Sequence, residues 1–168
     1  RAGGGGAGRW PSRPVLSVDT VQDFEDLLAT FERHEVRHLV IGGLAFIYHA
    51  KPRYTKDMDL WIGPDARNVA RANRALAEFG SPHLLDPDRP DEILQLGVAP
   101  NRIDLLRETG LNFDEVWPHR IEGRYGSASA SWIDIDSLIE IKSRIDHPRH
   151  REDVRVLELV RERKKRRE

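Results

Sequence analysis

The sequence predicts an α/β fold: a mixed β-sheet flanked by helices, with further helices at its C-terminal end. Three observations lead there. Segments with apolar residues three and four apart alternate with short alternating or apolar runs, so helices and strands interleave. One alternating run, Asp57 to Ile62, carries acids on one face and apolar residues on the other. The chain of 168 residues is long enough for one domain with a real core.

Residues 1–14 are Gly-rich, and this stretch is expected to be a disordered tail before a single domain over 15–168. Asp19 or Thr20 is placed to cap a first helix to about Glu35, with Val21, Phe24, Leu27, Leu28 and Phe31 as its apolar stripe. Arg37 to Ile41 reads as a short strand. Leu44 to Ala50 reads as a short helix ended by Pro52. Asp57 to Ile62 is the acidic strand. After the turn Gly63-Pro64-Asp65, a helix over Ala66 to Phe79 closes at Gly80. Ser81 to Pro90 is an exposed loop. Ile93 to Val98 and Arg102 to Leu106 read as antiparallel strands turned at Ala99-Pro100-Asn101. Phe113 to His119 is a short helical turn, and Ile121 to Ile133 holds one or two strands. Asp134 or Asp136 caps a helix to about Asp146. Pro148 breaks the chain there, and Glu152 to Arg163 forms the last helix.

Composition narrows the function. The chain has no cysteine, so disulfides and thiolate zinc sites are excluded, and a reducing cytoplasm is the expected setting. No apolar run approaches the ~20 residues of a membrane span, and residues 1–14 are not expected to act as a signal peptide. A formal net charge of -1 predicts no general affinity for polyanions. The basic run Arg161 to Arg167 is read first as a solvated helix end that suits the helix dipole, and second as a patch for an RNA backbone.

The chemistry centres on Gly42-Gly43 and Asp57-Met58-Asp59. On a strand, Asp57 and Asp59 point to the same side, roughly 6–7 Å apart. Adjacent carboxylates repel, and a bound cation offsets that cost. Gly42 and Gly43 at a helix start present bare N–H groups, where phosphate is favoured. Asp104 is a lone acid in the apolar strand Arg102-Ile103-Asp104-Leu105-Leu106, an unusual place for a charge. If that strand lies beside Asp57 and Asp59, the three acids meet on one face, as suits two metals about 3.5–4 Å apart. One metal would then activate an acceptor hydroxyl and the other would clamp the β- and γ-phosphates. The histidines show no metal-ligand spacing and read as structural or surface residues. Tyr48 or Tyr54 could stack on a base.

Gly42-Gly43, then Arg53-x-Thr55-x-Asp57-x-Asp59, then Asp104 on a later strand, resembles the signature of the polymerase-beta-like nucleotidyltransferase superfamily. Within it, the pattern looks most like the small bacterial AbiEii-type branch associated with toxin–antitoxin systems. The resemblance covers about Val36 to Leu106. It extends to Leu138-Ile139-x-x-Lys142 and Arg149-x-x-x-Asp153. It implies a nucleotidyltransferase fold and transfer of an NMP from an NTP, with release of pyrophosphate. It implies Mg²⁺, two ions with Mn²⁺ as a substitute, held by Asp57, Asp59 and Asp104. Nucleotide contacts fall to Gly42, Gly43, Arg53, Thr55 and Lys142. The acceptor would be a tRNA 3′ end, a protein side chain or a small molecule, with tRNA or protein favoured and a cognate toxin or antitoxin as a partner. The alternative is a non-catalytic nucleotidyltransferase-fold antitoxin or nucleotide-binding partner protein.

Overall fold

The computed structural model describes residues 21–98 and 101–168. The Gly-rich stretch, Asp19, Thr20 and the turn residues Ala99 and Pro100 lie outside them. Six strands form one mixed sheet in the order β3-β4-β2-β1-β6-β5. Strand β1 (His38–Ile41) runs antiparallel to β2 (Asp57–Ile62), and β2 runs parallel to β4 (Arg102–Leu106). Strand β3 (Leu94–Leu96) is the antiparallel edge beside β4. The run Ile121 to Ile133 resolves into a hairpin, β5 (Ile121–Tyr125) and β6 (Ala128–Trp132), and β6 joins β1 in parallel. Two acid-bearing strands thus lie side by side in the middle of the sheet.

Helix α1 (Gln22–Arg33) buries Phe24, Leu27, Leu28 and Phe31 as its apolar spacing dictates. Its N-cap is Val21, whose backbone N–H donates to the Tyr125 hydroxyl at 2.7 Å rather than being capped by a side chain. Helix α3 (Ala66–Phe79) starts at Asp65, whose carboxylate accepts from the Asn68 N–H, and ends at Gly80 with φ 93. Together these residues supply a side-chain cap and a left-handed stop. Met58, Leu60 and Ile62 are fully buried, as alternation on β2 requires. Trp61 shares the acids' parity but is buried too, edge-on to Phe113 with ring centroids 5.1 Å apart. The acid face is therefore open only along the first half of β2.

The C-terminal helices differ from expectation in one respect. Helix α5 (Ile135–Ser143) begins at Asp134, which caps the Ser137 N–H and settles the choice between Asp134 and Asp136. Helix α6 spans Pro148–Lys165, so Pro148 opens the last helix instead of standing apart from it. Proline suits the first helical position because the N–H it lacks has no intrahelical acceptor there. Arg149, His150 and Arg151, which precede the expected start at Glu152, consequently form the first turn of α6. Among the described residues, no helix is long and apolar enough to cross a membrane.

Candidate functional site

The β2–β4 register assembles the acids. Asp59 lies directly opposite Asp104, and Asp57 lies opposite Arg102. Since β2 and β4 are in phase, all four side chains emerge from the same face of the sheet. Asp104 is buried, while Asp57 and Asp59 are partly so. The Asp59 carboxyl is pushed up to about 6 by burial, then by the charges of Asp104 and Asp57. Lys142 and Arg102 pull in the opposite direction.

Between Asp57 and Asp104 lies Arg102, which the sequence reading did not assign to the site. Its Nη2 is 3.3 Å from Asp57 Oδ2 and 3.2 Å from Asp104 Oδ2. Its Nε is 3.1 Å from Asp104 Oδ1, but that oxygen has no well-aligned hydrogen bond and is buried. Hydrogen bonding and attraction to Asp104 come first among the causes that raise the Arg102 pKa. Among the described residues, no three His, Asp or Glu side chains already close on a common point as a metal centre. The donor set nonetheless suits a hard cation. It is all carboxylate, Asp59 is destabilised as an anion by its neighbours, and Asp104 presents an oxygen with no hydrogen bond.

The two glycines are required by space. Gly42 has φ 67, and a Cβ on it would lie 2.2 Å from Asp59 Oδ2. A Cβ on Gly43 would lie 2.8 Å from Thr55 Oγ1. Helix α2 (Gly42–His49) can start against the acids only with bare backbone there. Arg53, half-buried, extends toward Gly43, with its guanidinium 4.0 Å over the Phe46 ring. The structure thus brings Gly42, Gly43, Arg53 and Thr55 together beside Asp57 and Asp59.

Lys142 sits differently from a solvated helix lysine. It is buried, and its Nζ donates to Asp153 Oδ2 at 2.8 Å. Asp153 also accepts from Arg53 at 2.5 and 3.0 Å. One carboxylate therefore holds both cations assigned to nucleotide, joining the loop before β2, α5 and α6. Burial alone would raise the Asp153 pKa, but Arg53 and Lys142 hold it below the usual range. Burial lowers that of Lys142, against the pull of Asp153. The spacing of Asp153 after Lys142 was visible in the sequence, but its contact with Arg53, a hundred positions away, was not. Of the aromatic candidates, Tyr48 stacks on Trp132 at 4.4 Å, whereas Tyr54 is exposed.

No protein-family model matches the chain, and no curated protein matches it. Solved structures do. A lincosamide antibiotic adenylyltransferase, LnuA, with lincomycin bound, is 16% identical with a TM-score of 0.56, over 84% of this chain and 99% of that one. ANT(2")-Ia in complex with adenylyl-2"-tobramycin is 13% identical with a TM-score of 0.52, over 86% and 95%. An antigenic nucleotidyltransferase-like protein from Paracoccidioides brasiliensis is 15% identical with a TM-score of 0.51, over 86% and 77%. At these identities the likeness is one of fold, and the fold is that of the nucleotidyltransferases.

Proposed function

We propose that this chain, as one domain over residues 15–168, transfers an NMP from an NTP to a hydroxyl acceptor. The observation that carries this is the parallel register that sets Asp59 against Asp104, with Gly42 packed against Asp59. Mg²⁺, or Mn²⁺ in its place, would be held by Asp57, Asp59 and Asp104, supplying Lewis-acid activation and neutralising phosphate charge. Gly42 and Gly43 let the triphosphate approach the backbone at the start of α2. Arg53 and Lys142, steadied by Asp153, place positive charge near it. Asp104 takes the proton of the attacking hydroxyl. That oxygen bonds to the α-phosphorus, the α–β bridge breaks, and pyrophosphate leaves.

For the acceptor and the biological setting, the support is the resemblance of Gly42-Gly43 and Arg53-x-Thr55-x-Asp57-x-Asp59 to the AbiEii-type branch. It favours a tRNA 3′ end or a protein side chain, in toxin–antitoxin or phage defence in the cytoplasm. Arg102 favours a second reading. Its Nη2 lies 3.3 Å from Asp57 Oδ2 and 3.2 Å from Asp104 Oδ2, offsetting part of their charge, which suits a non-catalytic antitoxin or nucleotide-binding partner.

The test uses each α-³²P-labelled NTP with Mg²⁺ or Mn²⁺, total RNA and cell lysate, beside the Asp57→Ala/Asp59→Ala double variant. Label transferred by the wild type and absent with the variant is expected. Equal labelling by both proteins would exclude the enzymatic reading. Mg²⁺-dependent NTP binding with no label on any acceptor would favour the partner protein.

A further inference from the structure

A cavity of about 240 Å³ opens at the start of β1, the end of the strand away from Gly42. His38 lines it and stands roughly 13 Å along the strand from Gly42. None of the residues assigned to nucleotide or metal belongs to its lining.

The His38 imidazole is incompletely satisfied. The residue is only 5% exposed. Its Nδ1 donates to the Val36 carbonyl at 3.1 Å, so in the neutral ring Nε2 carries the lone pair. Nε2 is buried and has no hydrogen-bond partner among the described residues. Val36 is part of the same wall. With Nδ1 turned to that wall, Nε2 is the ring nitrogen left for the cavity. A buried acceptor without a partner is costly, and a donor entering the cavity removes the cost.

The surrounding charge selects the donor. Three carboxylates, Glu32, Glu35 and Glu122, share the lining with His38. Burial lowers the His38 pKa, against the Val36 bond and the charges of Glu122 and Glu32. Glu122 already accepts from Arg120 and Ser131. Glu32 and Glu35 are exposed and have no ion pair among the described residues. The cation in the lining, Arg37, is held by Asp65 and Asp114. The cavity is therefore short of positive charge. Among the described residues no three His, Asp or Glu side chains converge to ligate a metal ion. The missing cation must bring N–H donors of its own, as an ammonium does. Phe31, Val36 and Ala130 supply apolar wall for a hydrocarbon stem. The volume lies below the roughly 300–1,000 Å³ of drug-sized sites, which limits that stem to a short chain.

We propose that this cavity binds the ammonium group of a short free aliphatic amine, which donates to His38 Nε2 and to the Glu32 and Glu35 carboxylates. The site is separate from Asp57, Asp59 and Asp104, and it stands whether or not those acids support transfer.

The experiment titrates the full chain with n-butylamine, n-butanol and Nα-acetyl-lysine methylamide by calorimetry, with the histidine ring nitrogens followed by ¹⁵N NMR. The His38 signals are identified by their loss in His38→Phe. Butylamine should bind with a Kd of about 1 mM or tighter and move the His38 Nε2 resonance, and butanol should bind at least tenfold more weakly. Glu32→Gln/Glu35→Gly should weaken butylamine by about tenfold or more. Both glutamates are exposed, and Glu35 sits at φ 56, where glycine is favoured, so this variant should melt no lower than wild type. Equal binding of butylamine and butanol overturns the proposal, as does a butylamine Kd that the glutamate variant leaves unmoved. So does the absence of both heat and a His38 shift up to about 10 mM amine. Tighter binding of the lysine methylamide than of butylamine gives the cavity to a lysine of a partner protein and overturns the free amine.

Discussion

Asp59 is the residue at which fold and function conflict. Its carboxyl is raised from 3.8 to about 6. Between those values the folded protein keeps a proton that the unfolded chain gives up, so stability falls as pH rises through about 4 to 6. Asp59→Asn removes the charge. In EDTA at pH 8 it is expected to stabilise the protein by up to about 3 kcal/mol, by little at pH 4, and to abolish transfer. Urea titrations at the two pH values check the sign. By the same argument Mg²⁺ should raise the melting temperature at pH 8 and lose that effect near pH 5. Gly42→Ala sets a methyl against Asp59 Oδ2 at a positive φ. It should cost about 1–3 kcal/mol and most of the activity, both readable from one purified variant. Asp104→Asn should lower kcat at least a hundredfold and shift NTP affinity only a few-fold, in single-turnover and equilibrium binding assays.

At the scale of elements, Asp153 on α6 fixes Arg53 and Lys142 in place. Asp153→Ala leaves two cations facing each other without a counter-charge in a partly buried setting. A loss of about 3–5 kcal/mol is expected, with faster hydrogen exchange concentrated in α5 and α6. Lys142→Met should cost less, because Arg53 still satisfies Asp153. Much of this level was legible in advance. The α1 stripe, the Gly80 stop and the phase of Asp57 and Asp59 are short-range matters, set by residues a few positions apart. What could not be read were contacts made by long, flexible side chains across the fold. Nothing in the sequence pattern gives Arg102 a role, yet it bridges two of the site acids. The resemblance assigns Lys142 to nucleotide, but the burial of its ammonium depends on Asp153 arriving from α6. Pro148 reads as a break because a proline can either follow one helix or open the next, and here it opens α6.

For the whole molecule, the placing of the three acids on one face depended on a single conditional, that the Asp104 strand lies beside the Asp57 strand. The sheet order meets that condition, with β4 next to β2 and β3 beyond it at the edge. The pairing also has a consequence in time. Residues brought into register across β2 and β4 are 45 positions apart in the chain, with α3 and β3 in between. A parallel ladder of that separation incurs its loop-closure entropy before its contacts form, so it closes late relative to helices and hairpins. The candidate centre therefore exists only once the crossover is complete. In stopped-flow refolding, helical signal should return first, and the capacity to bind nucleotide should follow with the slowest resolved phase. A chain emerging from the ribosome would stay inert until β4 had cleared the exit tunnel.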